Sequence, residues 1–473
     1  MKTKKLLSLL LVMVLAFSLA ACGKKNTGNN EATPTPTTTE GTTDGGTTPD
    51  TAGGLPTIDS IKLGEDYKDI TATIKVLTHR TDIVDTKFAN YITEFQKLYP
   101  NIKIEYEAVT DYAEDVTIRL TTGDWGDICM IPTTVNKTEL PNLFASFGKN
   151  ENISKVYNFT NNFAYNGEVY GIASTGNAQG VVYNKKVFAD AGVTSIPKTP
   201  DEFLDALQKI KDKTDAIPMY TNFAAGWTMG AWDAYIGGSA TGDADYMNNK
   251  LVHAKDPFAN RGDQTGPYAV YNTLYEATKR GLIEDDPTTT DWEGSKGMIN
   301  RGEIGTMVLG SWAVVQMQQA GDNADDIGYM PFPITVNGKQ YASAGPDYCY
   351  GINANSSDDN KIASMLYVKW LTENSNFAYD EGGIPIVLGA EYPPVLDAFA
   401  GVDLVVDNPA PAGEETFFND VNSKSEVGIN SDNYHVQQVL ESALTGSTTM
   451  DDIAAEWNAK WTQAQTDLGI EVK

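Results

Sequence analysis

The stretch between residues 72 and 109 predicts a strand, a helix and a second strand. It reads ATIKVLTH (72–79), then KFANYITEFQKLYP (87–100), then NIKIEYEAV (101–109). The outer segments are rich in β-branched and apolar residues, whereas the middle one places apolar residues at helical spacing and ends at a proline. This order is typical of a parallel sheet with helices packed on its faces.

The same alternation continues along the chain and then begins again. A helix starting at Thr199 carries a capping box, because Glu202 follows three residues later. Further strands and helices are predicted at 112–123, 127–131, 168–175, 180–192, 217–222, 302–312, 358–374, 433–446 and 449–469. The fold class is therefore α/β, with two units that each have their own sheet.

Composition and charge exclude several classes of function. The 473 residues carry a formal charge of −28, and 41% of them are apolar. So negative a chain repels nucleic acid and anionic lipid, so we expect no nucleic-acid partner. The three histidines and the lack of a Walker loop, a G-x-S-x-G or an H-E-x-x-H motif argue against common enzyme classes and against a transition-metal site.

The N-terminus has the features of an export signal. Three lysines precede a short apolar run that ends in small residues, which predicts a signal peptide over residues 1–21. The block LAAC, ending at Cys22, resembles a bacterial lipobox, which implies lipidation of Cys22 and anchoring to the outer face of the cytoplasmic membrane. The alternative is an ordinary signal peptide with a chance cysteine. Residues 22–56, rich in Thr, Pro and Gly, are expected to form a disordered tether.

The two other cysteines, Cys129 and Cys349, lie far apart in sequence. Neither has metal-ligand spacing. They are interpreted as buried small hydrophobic residues, with a disulfide between them left open as the alternative.

Six segments, taken in order along the chain, carry a family resemblance: FQKLYPNIKIEYEAV (95–109), LTTGDWGDICMI (120–131), YNGEVYGIA (165–173), GVVYNKKVFADAGV (180–193), PKTPDEFLDALQKIK (197–211) and INRGEIGTMVLGSW (299–312). Together they resemble the extracellular solute-binding proteins of ABC importers, in the carbohydrate-binding group. Each motif alone is weak, whereas the ordered set is specific.

The resemblance implies a two-lobed fold of the periplasmic-binding-protein type II, with discontinuous lobes joined by a hinge. The first lobe is expected to comprise 57–175 plus 345–400. The second lobe is expected to comprise 177–343 plus 401–473. The ligand is expected in the cleft between the lobes.

The resemblance also implies polar ligand contacts in loops that follow strands. Sugar hydroxyls need planar polar partners, which such loops can present at the edge of a sheet. The candidate residues are Arg80, Asp82, Asp111, Tyr112, Asp127, Asn177, Gln179, Asp347 and Tyr348. For Asp127, capping of its own loop is the alternative.

Tryptophans next to glycines supply candidates for stacking on pyranose rings, whose C–H faces are apolar. Trp227 and Trp312 align with stacking aromatic residues of the family, and Trp232 is a third candidate. Core packing is the alternative for each of them. The chain departs from the maltose-binding pattern near Asp347 and Tyr434, which argues against maltose as the ligand.

The function implied is that of a lipoprotein which captures a mono- or oligosaccharide by hinge closure and passes it to ABC permease subunits. We expect a monomer without cofactor or metal, and no catalysis. Two alternatives stay open: a surface glycan-active enzyme, which would need a pair of carboxylates, and the same scaffold binding a solute other than sugar.

Overall fold

The structure is a computed structural model that describes residues 51–52, 54–110, 112–431 and 433–473. The expected signal peptide, Cys22 and Asp111 lie outside these residues, as does most of the expected tether. Thr51–Ala52 and Leu55–Pro56 pair as short antiparallel strands, so regular structure begins before the expected end of the tether at residue 56.

The described residues form sixteen strands and seventeen α-helices. The strands are β1 (Thr51–Ala52), β2 (Leu55–Pro56), β3 (Ala72–Thr78), β4 (Ile102–Ala108), β5 (Ile128–Ile131), β6 (Gly148–Lys149), β7 (Ala164–Tyr165), β8 (Glu168–Val169), β9 (Ile172–Ala173), β10 (Gly176–Asn184), β11 (Ile217–Met219), β12 (Ile304–Gly310), β13 (Ile327–Pro331), β14 (Tyr341–Pro346), β15 (Cys349–Ile352) and β16 (Asp403–Val406). The helices are α1 (Ala89–Phe95), α2 (Tyr112–Thr122), α3 (Leu140–Leu143), α4 (Asn150–Ile153), α5 (Lys185–Asp190), α6 (Pro200–Lys213), α7 (Trp227–Gly230), α8 (Gly238–Thr241), α9 (Leu251–His253), α10 (Gly266–Lys279), α11 (Trp292–Asn300), α12 (Trp312–Gln319), α13 (Asp358–Glu373), α14 (Phe377–Asp380), α15 (Phe417–Ser425), α16 (Tyr434–Thr445) and α17 (Met450–Leu468). Among these helices we find none with the length and apolar character needed to cross a membrane.

The first lobe is built on a five-stranded sheet in the order β4-β3-β5-β15-β9. β3 lies parallel to both β4 and β5, as the strand–helix–strand pattern of residues 72–109 predicts. β15 pairs with both β5 and β9 although it begins about 175 residues after β9 ends, so the chain leaves this lobe after β9 and later returns to it. The lobe is therefore discontinuous.

The second lobe is built around β10, which lies between β12 and β13 and is antiparallel to both. Alternate residues of β10 enter different cores, because successive side chains of a strand point to opposite faces. Val181 belongs to a core cluster that includes residues of α6, α10 and α17, whereas Val182 belongs to one that includes residues of α11 and α12. Both faces of this sheet are therefore covered.

The hinge is a ribbon of three strands at the start of β10. Gly176–Ala178 pairs with Ala344–Pro346 of β14, and the other end of β14 lies parallel to β16. One strand, β10, thus belongs to both the hinge ribbon and the centre of the second sheet.

One boundary differs from the sequence expectation. The expected first lobe extends to residue 400, but the 3₁₀ turn Pro394–Phe399 packs against the second sheet. Phe399 contacts Tyr329 of β13 with ring centroids 5.2 Å apart. The chain therefore crosses to the second lobe before residue 394.

Cys129 and Cys349 lie on the neighbouring strands β5 and β15, and both are buried and free. Their register is offset, since Cys349 lies opposite Ile131 and Cys129 lies opposite Gly351. Burial raises the pKa of Cys349 to about 12, so its thiol stays protonated. The interpretation as small core residues is confirmed in this structure.

Helix α6 shows how local sequence sets an element. The Thr199 hydroxyl accepts the N–H of Glu202 at 3.3 Å, and the Glu202 carboxylate accepts the N–H of Lys198 at 2.7 Å. The glutamate thus reaches one residue farther back than in the usual capping box. The buried face of the helix is formed by Phe203, Leu204, Ala206, Leu207 and Ile210.

Replacing Thr199 with alanine removes this cap. We expect Thr199→Ala to lower the free energy of unfolding by about 1 kcal/mol, because the N–H of Glu202 loses its acceptor. Urea denaturation followed by circular dichroism measures the change. Thr462→Ala, on the exposed face of α17, is the control and should leave the midpoint unchanged or slightly higher. Equal midpoints for both variants would contradict the capping role.

Candidate functional site

The first lobe presents a charged wall, which we define as Arg80, Asp82, Lys87, Asp347 and Glu381. Arg80 follows β3 and donates from Nε and Nη2 to the two carboxylate oxygens of Asp82, both at 2.8 Å. Its Nη1 lies 2.7 Å from Glu381. Lys87 donates to the other oxygen of Glu381. Two carboxylates therefore share two cations.

This network changes the acidity of its members. Burial by itself would lower the pKa of Arg80, but hydrogen bonds and charge from Asp82 and Glu381 raise it above its ordinary value. Burial would raise the pKa of Asp82, but Arg80 and, at longer range, Lys296 lower it. Both groups are therefore charged across the physiological range.

Asp347 adds a third carboxylate at the end of β14. Its backbone N–H donates to the Thr175 carbonyl at 2.8 Å, which ties it to the hinge. Burial raises the pKa of Asp347 to about 6, and the nearby charge of Glu381 adds to this effect while Arg80 opposes it.

Tyr348 and His79, the chain neighbours of Asp347 and Arg80, pack their rings together. Their centroids lie 4.7 Å apart. Burial, with the charge of Arg80, lowers the pKa of His79 to about 3, so its imidazole is neutral at physiological pH. His79 therefore acts here as an aromatic surface rather than as a cation.

The second lobe presents an aromatic wall, which we define as Trp227, Trp292 and Trp312. The ring centroid of Trp227 lies 5.0 Å from that of Trp292 and 5.6 Å from that of Trp312, and the remaining pair is 5.7 Å apart. Each indole belongs to the first residue of a helix, α7, α11 and α12 respectively. Trp227 is 42% exposed, which is high for a tryptophan.

Lys296 lies on the aromatic wall and faces the charged one. Its ammonium is 4.8 Å from the centre of the Trp292 ring and 2.9 Å from Glu293 one turn earlier. Its charge lowers the pKa of Asp82, which belongs to the other lobe. The two walls also lie close together in the structure, because Gly382, next to Glu381, approaches Val315 of α12, the helix that Trp312 opens.

Asn177 and Gln179 lie where β10 leaves the hinge. The Asn177 side-chain oxygen accepts a hydrogen bond from Ser311 at 3.4 Å, and Asn177 is buried. Gln179 is half-buried, and its amide oxygen and the Trp312 indole both flank Gly310. Of the two, Gln179 is the side chain placed beside the aromatic wall.

Three expected site residues belong to the core instead. Tyr112 is buried, and its hydroxyl accepts the N–H of Met130 at 2.6 Å. The Asp127 carboxylate accepts hydrogen bonds from the backbone N–H of Lys75 at 2.9 Å and from the Ser356 hydroxyl at 2.6 Å. Trp232 is 2% exposed and packs against a core phenylalanine. In each case a nearby partner on the chain already satisfies the polar group or covers the ring.

Sequence reasoning missed four residues of the two walls and their surroundings: Lys87, Glu381, Trp292 and Lys296. Trp292 follows an acidic residue and opens a helix, so its position resembles those of Trp227 and Trp312 and could have been noticed. Glu381 has no such signal, because it reaches Arg80 across 301 positions of sequence. No cluster of histidine, cysteine and acidic side chains suited to a metal ion occurs within the described ranges.

Comparison with known proteins identifies the class to which this arrangement belongs. The model of the bacterial extracellular solute-binding protein family matches residues 81–376. The chain belongs to this family. Its fold is the expected two-lobed type II fold of periplasmic binding proteins.

Three individual proteins are similar to this chain over 68% to 87% of its length. A manno-oligosaccharide-specific solute-binding protein of Bifidobacterium animalis subsp. lactis, solved with mannotriose, is 49% identical, with a TM-score of 0.85 over 87% of this chain and 98% of that one. A second binding protein of an ABC transporter from that organism, solved with mannobiose, is also 49% identical, with a TM-score of 0.84 over 87% of this chain and 98% of that one. A multiple sugar-binding protein of Streptococcus mutans is 24% identical over 68% of this chain and 76% of its own length.

The raised pKa of Asp347 predicts a pH-dependent stability. In the unfolded chain this carboxyl ionises near its ordinary pKa of 3.8, whereas in the fold it keeps its proton up to about 6. Stability is therefore lost as the pH rises through that window. We expect Asp347→Asn to be more stable than the wild type at pH 7.5, by on the order of 1 kcal/mol, and equally stable near pH 4.

Melting temperatures measured from pH 4 to pH 8 test this expectation. Asp124→Asn, which changes an exposed carboxylate, is the control and should follow the wild-type profile. A difference between Asp347→Asn and the wild type that does not change with pH would show that burial of the charge is not its cause.

Proposed function

We propose that this protein captures a manno-oligosaccharide outside the cell, between its two lobes, and delivers it to the permease of an ABC importer. The observation that carries the proposal is the opposition of the aromatic wall to the charged wall. An aromatic surface on one side and oriented carboxylates on the other match the two chemical features of a sugar.

The aromatic wall supplies area for the C–H faces of pyranose rings. Three indoles in mutual contact, at centroid separations of 5.0 to 5.7 Å, form a continuous surface. One face of Trp292 is covered by Lys296, so Trp227 and Trp312 are the stacking rings in this proposal. The helix starts behind them hold the rings in place.

The charged wall favours a ligand that is neutral and rich in hydroxyl groups. Arg80 and Lys87 are already paired with Asp82 and Glu381, so an anionic ligand would have to displace a carboxylate. Asp82 remains 42% exposed at its side chain. Asp82 and Asp347 are therefore the proposed acceptors for sugar hydroxyls.

The choice of mannose units comes from the relatives. Two solved binding proteins at 49% identity hold mannotriose or mannobiose. Such similarity over 87% of this chain supports a related ligand. No bond is made or broken in the proposed function, and the named relatives are binding proteins rather than enzymes.

Trp312 provides the direct test. We expect Trp312→Ala to weaken mannotriose binding by about tenfold or more. The reason is that burying the apolar surface of a stacking indole contributes on the order of 1.5–3 kcal/mol to the free energy of binding. Trp312→Phe keeps an aromatic face and should lose less. Isothermal titration calorimetry with mannobiose, mannotriose and maltotriose measures the affinities.

Two results would decide against the proposal. Absence of heat and of any thermal shift with both manno-oligosaccharides, while another solute raises the melting temperature, would overturn the ligand class. Unchanged mannotriose affinity in Trp312→Ala would remove this indole from the site.

We also propose that the protein is a monomer tethered by a lipid on Cys22, whose sequence context supports acylation. We expect Cys22→Ala to leave the membrane fraction and appear in the medium, because its anchor is lost, with unchanged mannotriose affinity. Cell fractionation followed by calorimetry of the released protein measures both. Retention of the variant on membranes would contradict the anchor.

A further inference from the structure

We propose that Glu381 and the two glycines after it are a positioning element, which holds the charged wall in register with the hinge and with the aromatic wall. This inference rests on the proposed function, because the charged wall is the part of the site that it positions. Glu381 itself is 7% exposed and acts through Arg80 and Lys87.

Glu381 determines where the two cations of the wall point. It lies 2.7 Å from Arg80 Nη1 and also pairs with Lys87. Without its charge, Lys87 would lose its carboxylate partner and Arg80 would keep only Asp82. One cation would then be free to turn into the cleft, where it would compete with ligand hydroxyls for Asp82 and Asp347.

The next residues contact the hinge. Ile384 exchanges two backbone hydrogen bonds with Gly176, at 2.6 and 2.9 Å. A Cβ atom added to Gly383 would lie 2.0 Å from the Thr175 hydroxyl and 2.8 Å from the Gly176 carbonyl oxygen. Only glycine permits so close an approach of the two backbones.

Gly382 contacts the second lobe. It has φ +72°, and an added Cβ atom would lie 2.8 Å from Val315 Cγ2 in α12, the helix that Trp312 opens. Four consecutive residues thus contact the charged wall, the second lobe and the hinge. A shift at any one of them changes the distance between the two walls.

The charge of Glu381 also affects Asp347. The charged or titratable groups facing Asp347 are Arg80 and Glu381 from the other elements, and Tyr348, Cys349 and Tyr350 from its own segment. The pKa values of Tyr348 and Cys349 lie near 12, and burial raises that of Tyr350 well above its ordinary value, so these three groups keep their protons between pH 4 and 8. Removing the negative charge of Glu381 lowers the pKa of Asp347.

Glu381→Gln is the first test, because it keeps the shape of the side chain and removes its charge. We expect mannotriose affinity to fall about tenfold at pH 7.5. The wild type should lose affinity as the pH falls through about 6. In the variant this acid-side loss of affinity should occur at a lower pH. Glu303→Gln, which breaks an exposed pair with Arg301, is the control and should match the wild type.

The pH profile separates positioning from a merely structural role. If Glu381→Gln loses affinity at pH 7.5 but its acid-side loss of affinity occurs at the same pH as in the wild type, Glu381 only supports the fold. That result would overturn the inference. Unchanged affinity in Glu381→Gln would overturn it as well.

Gly383→Ala is the second test, and it needs no ligand. We expect the added methyl group to push the segment from Thr175 and change the angle between the lobes, which small-angle X-ray scattering of the ligand-free protein measures. If Gly383→Ala does not fold, Glu381→Gln takes its place in the scattering measurement. Unchanged scattering together with unchanged affinity would overturn the inference. If the wild type binds no manno-oligosaccharide but the scattering changes, the proposed function fails while the link to the hinge stands.

Discussion

The arrangement of this protein depends on one strand that serves two purposes. β10 begins in the hinge, where Gly176–Ala178 pairs with β14, and ends as the central strand of the second sheet. Because a paired strand cannot slip by one residue without turning every side chain to the other face, the hinge register also determines the register of the second lobe. Asn177 and Gln179 are placed by the same pairing.

The two walls of the cleft meet different physical demands. Carboxylates and cations that are partly buried must be paired, and the charged wall pairs them almost completely within one lobe. Large aromatic rings left half in water must be held by rigid elements, and each indole of the aromatic wall opens a helix. Keeping the ion pairs within one lobe lets the lobes separate without breaking them.

Much of the fold could be predicted from local sequence, because its elements are strongly periodic and well capped. The strand at 72–78, the helix at 112–122 and the helix at 200–213 lie within one or two residues of their expected bounds. The turn Pro394–Phe399, inside the expected first lobe, packs on the second sheet, and no sequence feature reveals which sheet it packs on.

The site was predicted less completely, and for a specific physical reason. Arg80, Trp227 and Trp312, which the structure places on the two walls of the candidate site, could be singled out because each stands at the end or start of an element, where a side chain can project into a cleft. Tyr112 and Trp232 stand at similar positions yet turn inward. The direction of a side chain at an element boundary depends on which neighbours cover it, and those neighbours come from elsewhere in the chain.

The sequence by itself determined the α/β class, the order of the elements, the acidic character and the residue types available for a sugar site, because these follow from local periodicity and composition. Only the tertiary structure decided which of those residues meet. Glu381 reaches Arg80 from a segment 301 positions later in the chain, and Trp292 completes the aromatic wall from a separate helix. Such contacts are set by packing between distant segments, for which a single sequence carries no local signal.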